Sequence, residues 1–130
     1  MKKNKNSGFT LLEVILSIAT ISLVSVFILE MFVVSNRVNK KASDIDNANM
    51  ICLNAVESFK SGDTPGAYFY EESYDAGWNA TGAVSPEKAF ILTVNVSSGE
   101  PDIYGIDASV KKTDGEEVAS LSALKYFAPE

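Results

Sequence analysis

Residues that commonly perform catalysis or bind metals are scarce in this chain. It contains no histidine and a single cysteine, Cys52. Histidine-based triads, histidine-ligated zinc and internal disulfides are therefore excluded. The carboxylates Glu71, Glu72 and Asp75 lie in a polar segment, where solvated surface acids are the ordinary interpretation. A membrane-anchored hydrolase that uses them is the weaker alternative, and we predict a non-enzymatic protein without catalytic residues, metal or cofactor.

One carboxylate occupies an unusual place. Glu13 lies near the start of an apolar run, residues 9–34, which contains no basic group over 26 residues. As a helix the run would measure about 39 Å, more than the ~30 Å hydrocarbon core of a bilayer. An acidic side chain inside such a segment is costly and calls for a partner.

The charge distribution predicts an orientation for this segment. Residues 1–41 carry a net charge of +4, whereas residues 42–130 carry −10. A short basic head followed by an acidic bulk favours a single-pass protein of the cytoplasmic membrane, with its N-terminus inside and residues from about 37 outside. A cleaved secretory signal would need a shorter apolar run. A plain signal anchor fits the length but leaves Glu13 unexplained.

The residues before the apolar run supply that explanation. A leader with three lysines ends in Gly8, Phe9 follows, and Glu13 stands five positions past Gly8. This contiguous pattern resembles the processing motif of type IV prepilins and pseudopilins. The C-terminal part of the chain, in which residues 111–118 lead into a Ser- and Leu-rich last run, resembles the small minor members of that family.

The resemblance implies roles for three residues. A prepilin peptidase would remove residues 1–8 by cutting between Gly8 and Phe9, and Phe9 would become an N-methylated N-terminus. Glu13 would act in assembly, with its carboxylate near the N-terminal amine of a neighbouring subunit. The implied partners are the peptidase, other pilin or pseudopilin subunits and an assembly platform in the membrane, and the implied product is a cell-surface filament.

The sequence departs from the family pattern at one point. Major pilins commonly bend their helix at a proline near the position of Glu30, but no proline lies between Met1 and Asp63. This favours a minor subunit near the filament tip or initiation complex. The sequence leaves open whether the machine is an adhesion or motility pilus, a competence pseudopilus or a type II secretion pseudopilus. An anchored adhesin or sensor is a further alternative, which would leave the motif unused.

Hydrophobic periodicity extends the predicted helix beyond the membrane run. No Pro or Gly interrupts residues 9–61, and Ser61-Gly62 is a typical helix stop. Residues 9–34 form the membrane half and residues 35–61 an amphipathic half. The predicted apolar stripe consists of residues spaced three or four apart, Val38, Ala42, Ile45, Ala48, Cys52, Val56 and Phe59. On this stripe Cys52 is expected to be a buried, inert thiol rather than a reactive one.

The remaining residues, 62–130, predict a small extracytoplasmic head. After a connector, 62–88, three strand-like runs cover 89–97, 103–112 and 117–127, with a hairpin turn at 113–116. In the last run the apolar residues do not all fall on one face of a strand. The sequence therefore leaves two alternatives for this run, a β-bulge or the start of a helix. We therefore expect an α+β, pilin-like fold, with one long helix packed on an antiparallel sheet of three to four strands within residues 89–127.

The connector is rich in aromatic residues. We expect them to cover the helix–sheet core, while a partner-facing surface with Tyr74 and Trp78 as anchors is the alternative. The acidic head has no basic stripe, so no direct nucleic-acid binding is expected.

Overall fold

A computed structural model of the chain describes Gly8 and residues 10–62 and 66–127. One helix precedes five strands: α1 Leu11–Ser61, β1 Tyr68–Asp75, β2 Ala80–Thr81, β3 Lys88–Glu100, β4 Ile103–Lys112 and β5 Glu117–Tyr126. All strand pairs are antiparallel, in the order β2-β1-β3-β4-β5. The expected α+β class, a long N-terminal helix packed on an antiparallel sheet, is confirmed. The chain divides into an N-terminal unit that ends at Lys40 and a head unit that begins at Lys41.

Helix α1 has a recognisable signal at each end. The backbone N–H of Glu13 lies 3.3 Å from Thr10 Oγ1 and 3.0 Å from the Thr10 carbonyl oxygen, so Thr10 caps the N-terminus. At the other end, the N–H of Gly62 donates to the carbonyls of Ser58 and Phe59. The predicted stop after Ser61 is therefore confirmed.

The core of the head lies between the last four turns of α1 and one face of the sheet. It is formed by the alternating residues of β3 and β4 and by one side of the helix, namely Phe90, Leu92, Val94, Val96, Ile106, Ala108, Val110, Ala48, Cys52, Ala55, Val56 and Phe59, together with Ala119 of β5. The alternation predicted for the two central strands is confirmed, with Val94 opposite Ala108 and Val96 opposite Ile106.

The predicted helical stripe is buried over only part of its length. Ala48, Cys52, Val56 and Phe59 are buried as expected, but Val38 and Ala42 are exposed. Within the head unit, burial of the helix begins at the turn that contains Ile45 and Ala48. The prediction was therefore wrong for the first two members of the stripe.

The sheet has more strands than the sequence predicted. Two of the five, β1 and β2, lie inside the predicted connector 62–88, and β1 pairs with β3 from Tyr68–Val96 to Tyr74–Phe90. The core side of β1 holds Tyr68, Tyr70, Glu72 and Tyr74 in alternation. Consecutive aromatics and the Glu71-Glu72 pair conceal this period of two in the sequence.

The last run, 117–127, forms strand β5 and contains the anticipated irregularity. Val110 pairs with Ala119 whereas Lys111 pairs with Glu117, so Val118 is an extra residue in β5. This bulge shifts the alternation and places Ala119, Leu121 and Ala123 on one side of the strand. Of the two possibilities left open by the sequence, the bulge is the one found.

Candidate assembly site on the N-terminal helix

From Leu11 to Val34, most of the surface of α1 is apolar, on every side of the helix. Every large hydrophobic side chain from Leu11 to Val34 is exposed, from 78% at Leu11 to 44% at Val14. The mean hydropathy of its most apolar 18-residue window is 2.4, and none of that window is buried within the chain. So large an apolar surface is typical of a segment in contact with lipid or with other protein. By length and composition, α1 can therefore cross a membrane once.

The serine and threonine hydroxyls within this segment form hydrogen bonds with the backbone of the helix itself. The hydroxyls of Ser17, Ser22 and Ser25 donate to backbone carbonyls four residues earlier, and that of Thr20 donates three residues earlier, at 2.7–2.8 Å. Hydroxyl groups bonded in this way lower the cost of placing the helix in hydrocarbon.

Glu13 lies in the first turn of α1 with an exposed side chain. It occupies the third helical position after the Thr10 cap, where an acidic side chain interacts favourably with the helix dipole. It forms no ion pair with another described residue. Its position thus has a local explanation in helix capping, and its carboxylate remains available to a partner.

The predicted processing residues Gly8 and Phe9 precede this turn in the sequence, and of the two the structure describes Gly8. Gly8 is exposed, and a Cβ built on it would meet no atom within 4 Å. Nothing within the described chain therefore demands a glycine at this position. Phe9 and residues 1–7 of the leader lie outside the described residues.

A second feature of α1 is a stripe that carries one charge of each sign. Val26, Leu29, Glu30, Val33, Val34 and Arg37, here called the 26–37 stripe, line a shallow apolar groove on one face of the helix. Glu30 and Arg37 are exposed and form no ion pair with another described residue. They stand seven residues apart, about two turns or 10.5 Å along the axis.

Trp78, one of the two candidate partner anchors, packs into the head. Its ring stacks on Phe90 at 4.1 Å between centroids and 15° between planes. Its Nε1 donates to Asp44 Oδ1 at 3.2 Å. Trp78 has a positive φ of 65°, a conformation that a bulky residue adopts only when its surroundings compensate. These contacts favour the core-covering role for Trp78.

Tyr74, the other candidate anchor, is also half-buried. Its hydroxyl donates to Glu72 Oε2 at 2.7 Å, and its ring lies 6.3 Å from that of Trp78. Burial, with the hydrogen bond and the negative charge of Glu72, raises the pKa of Tyr74 well above its usual value. Phe69, in contrast, is largely exposed and is a more accessible aromatic side chain of this segment.

The three acidic candidates are exposed or form local hydrogen bonds. Asp75 Oδ1 accepts hydrogen bonds from the backbone N–H groups of Gly77 and Asn79, at 2.8 and 3.0 Å. The bonds from Asn79 are the main reason that the pKa of Asp75 is lowered. Glu71 and Glu72 are exposed. No group of three metal-ligating side chains occurs among the residues that the structure describes.

Cys52 is fully buried, as expected. Its Sγ lies 3.7 Å from the carbonyl oxygen of Ala108 in β4. Burial, with a smaller effect of the Glu117 charge, raises the pKa of the thiol. Both effects oppose formation of a thiolate, so the thiol is a packing group.

Two residues that fix the helix in the head were not anticipated from the sequence. Asp44 accepts the indole hydrogen bond, and Lys125 donates to backbone carbonyls at the C-terminus of α1. Each interaction joins residues more than 30 positions apart, and no local pattern signals such a pair.

Comparisons of the chain with protein-family models, curated proteins and solved structures gave no match.

Proposed function

We propose that this chain is a minor pilin or pseudopilin subunit, processed by a prepilin peptidase and assembled into, or initiating, a type IV pilus-like filament. The observation that carries the proposal is the contiguous pattern Gly8-Phe9 to Glu13 at the start of a helix with a wholly exposed apolar surface. A competence or type II secretion pseudopilus subunit is the alternative within the same family.

The architecture supports a structural role. The same helix that can cross a membrane continues into the head, where its last four turns form the helical side of the core. In the membrane, a subunit of this kind rests with the apolar surface in lipid. In a filament, the same surface would pack against the helices of other subunits, and the head would face outward.

Glu13 is the residue to which we assign the assembly role. In lipid its carboxylate is unpaired and costs free energy, and pairing with the amine at Phe9 of another subunit would remove that cost. The family resemblance is the source of this partner, and the exposed, unpaired position of Glu13 is compatible with it.

The mature N-terminus tests the proposal. Intact-mass analysis of the native protein is expected to show a chain that begins at Phe9 and carries a methyl group on its amine. A chain that begins at Met1, or one cut near Thr20, would exclude a processed pilin and favour a signal anchor or a secretory signal.

The minor assignment has its own test. Quantitative mass spectrometry of sheared filaments is expected to find this chain scarce, and its deletion is expected to reduce filament number. If it were the dominant filament protein, the absence of a helix proline would be a poor guide and the chain would be a major subunit.

A further inference from the structure

One edge of the sheet is open along most of strand β1. Strand β2 pairs only with Ser73 and Tyr74 of β1, and no other strand of the described residues pairs with this side. The segment Tyr68–Glu72, here called the β1 edge, is therefore uncovered. It contains neither lysine nor proline, two residues that commonly block an edge strand. An edge of this kind can pair with a further extended segment.

The backbone of the β1 edge has donors and acceptors directed outward. The N–H of Asp75 donates to the carbonyl oxygen of Asn79, on the side of β1 where β2 lies. In a strand, the backbone groups of alternate residues point to the same side. The N–H and C=O groups of Phe69 and Glu71 are therefore directed away from β3, where they are placed to form hydrogen bonds with an added strand.

The side chains of the β1 edge place aromatic groups beside a carboxylate on each face of the sheet. Phe69, which is 62% exposed, and Glu71 lie on the outer face. Tyr68 and Tyr70, whose rings stack at 6.1 Å between centroids, lie with Glu72 on the core side. Both carboxylates are exposed. Aromatic rings and carboxylates together bind guanidinium groups, through cation–π contacts and charge-assisted hydrogen bonds.

We propose that the β1 edge is a docking site for an extended, arginine-containing segment of another protein, which adds to the sheet as a further strand. Hydrogen bonds to the backbone of Phe69 and Glu71 hold the segment. Its arginines contact Glu71 on one face and Glu72 on the other, with the neighbouring aromatic rings. The inference goes beyond the proposed function and does not depend on cleavage at Phe9.

The charge of the edge selects this occupant over a second copy of the chain. Residues 42–130 carry a net charge of −10, and the β1 edge has two acidic residues and no basic one. Pairing of two β1 edges would bring Glu71 and Glu72 of both copies onto one short ladder, where like charges destabilise the pair. A basic segment is attracted at the same positions.

Binding of synthetic peptides to the detergent-solubilised full chain tests the inference. The probe is a short peptide of threonine, valine and paired arginines, and the matched peptide has glutamate in place of each arginine. The arginine peptide is expected to bind at least about tenfold more tightly, as measured by fluorescence anisotropy. The double change Glu71→Lys with Glu72→Lys should reverse this preference. A gain of binding to the glutamate peptide cannot result from loss of the fold.

A matched control and a backbone measurement complete the experiment. Glu57→Lys with Glu117→Lys changes the net charge equally at exposed positions outside the β1 edge and should keep the preference for the arginine peptide. In the unsubstituted chain, bound arginine peptide should slow amide hydrogen exchange at Phe69 and Glu71 by at least about tenfold. Exchange at Tyr70, whose N–H points towards β3, should change little.

Other outcomes would overturn the inference. Equal binding of the two peptides, or equal loss of arginine-peptide binding in both double variants, would leave no selective site at the β1 edge. Binding without slower exchange at Glu71 would mean that the peptide contacts side chains and adds no strand. Slower exchange at Glu71 with rising protein concentration and no peptide would indicate a second copy as the occupant. Each result could occur with normal cleavage at Phe9, so the proposed function would be judged separately.

Discussion

The Nζ atom of Lys125 lies 2.6 Å from the carbonyl oxygen of Lys60, so a side chain near the end of β5 caps the C-terminus of α1. The same ammonium group lies 2.6 Å from the carbonyl oxygen of Gly62 and 4.4 Å from the centre of the Phe127 ring. The last carbonyls of a helix have no partner within it, and a positive charge there also interacts favourably with the helix dipole. The final strand thus holds the end of the helix in the head.

Replacing Lys125 by methionine should therefore destabilise the head. Methionine retains much of the apolar stem but donates no hydrogen bond, and a loss of about 1–2 kcal/mol is expected. Denaturant unfolding of the detergent-solubilised full chain, followed by the fluorescence of the single tryptophan, measures this change. Lys111→Met, at an exposed position of β4, is the control and should change stability little. Equal effects of the two changes would contradict a capping role.

A substitution at Gly8 tests the processing site. Gly8→Val is expected to leave the full-length precursor in the membrane, because a branched side chain would crowd the cleavage pocket of the peptidase. The described chain places no atom near a Cβ at this position, so the change should not disturb its fold. Immunoblotting of membranes should show the slower-migrating precursor, with more mature product from the smaller Gly8→Ala. Normal maturation of Gly8→Val would contradict the proposed cleavage site.

Glu13 has two possible contributions, and two substitutions separate them. Glutamine retains the polar group favoured after the Thr10 cap but lacks the charge, whereas valine removes both. If assembly needs the charge, Glu13→Gln and Glu13→Val should both be cleaved at Phe9 and both be poorly incorporated into filaments. The amount of each variant in sheared filaments, relative to the membrane pool, is the measurement. Normal incorporation of Glu13→Gln alone would reduce the role of Glu13 to helix capping.

The hydrogen bond between Asp44 and Trp78 predicts unequal effects of two neighbouring acids. Asp44→Ala should lower the stability of the head by about 0.5–1.5 kcal/mol, because the indole N–H loses its partly buried partner. Asp46→Ala removes an exposed carboxylate from the same helix turn and should have little effect. Tryptophan emission should also shift in Asp44→Ala only. Matching unfolding midpoints for the two variants would show that the bond contributes nothing to stability.

The loop around Asp75 should respond to acid. Hydrogen bonds from Asn79 and Gly77 lower the pKa of Asp75 below its ordinary value of 3.8 in the folded chain. Because the pKa is lowered, the contribution of this carboxylate to stability is present above that ordinary value and is lost as the pH falls through the folded pKa. Carboxyl NMR titration should show the low pKa, and Asn79→Ala should raise it towards 3.8. An unchanged pKa in Asn79→Ala would assign the shift to another group.

Much of the helix and the central strands could be predicted from local patterns alone. The uninterrupted apolar run predicted the start of α1 to within two residues, and Ser61-Gly62 predicted its end. Alternation was enough for β3 and β4, because a half-buried strand shows its inner face directly in the sequence. The leader motif and the place of Glu13 are properties of adjacent residues, and so the candidate processing and assembly residues could also be named from the sequence.

The tertiary structure decided what depends on residues distant along the chain. Whether Tyr68–Asp75 is a loop or a strand depends on the free edge of β3, which supplies its hydrogen bonds, and not on its own mixed aromatic and acidic pattern. The strands meet the helix only from about Ala48 onward. For this reason the helical stripe is buried from Ala48 and Ala42 is exposed. The Lys125 cap joins a side chain to a backbone carbonyl, and the bond between Asp44 and Trp78 joins two side chains; only folding brings these groups within 3.2 Å or less. Hydrophobic periodicity specifies which face of an element is buried, but the partner that buries it is set by packing in three dimensions.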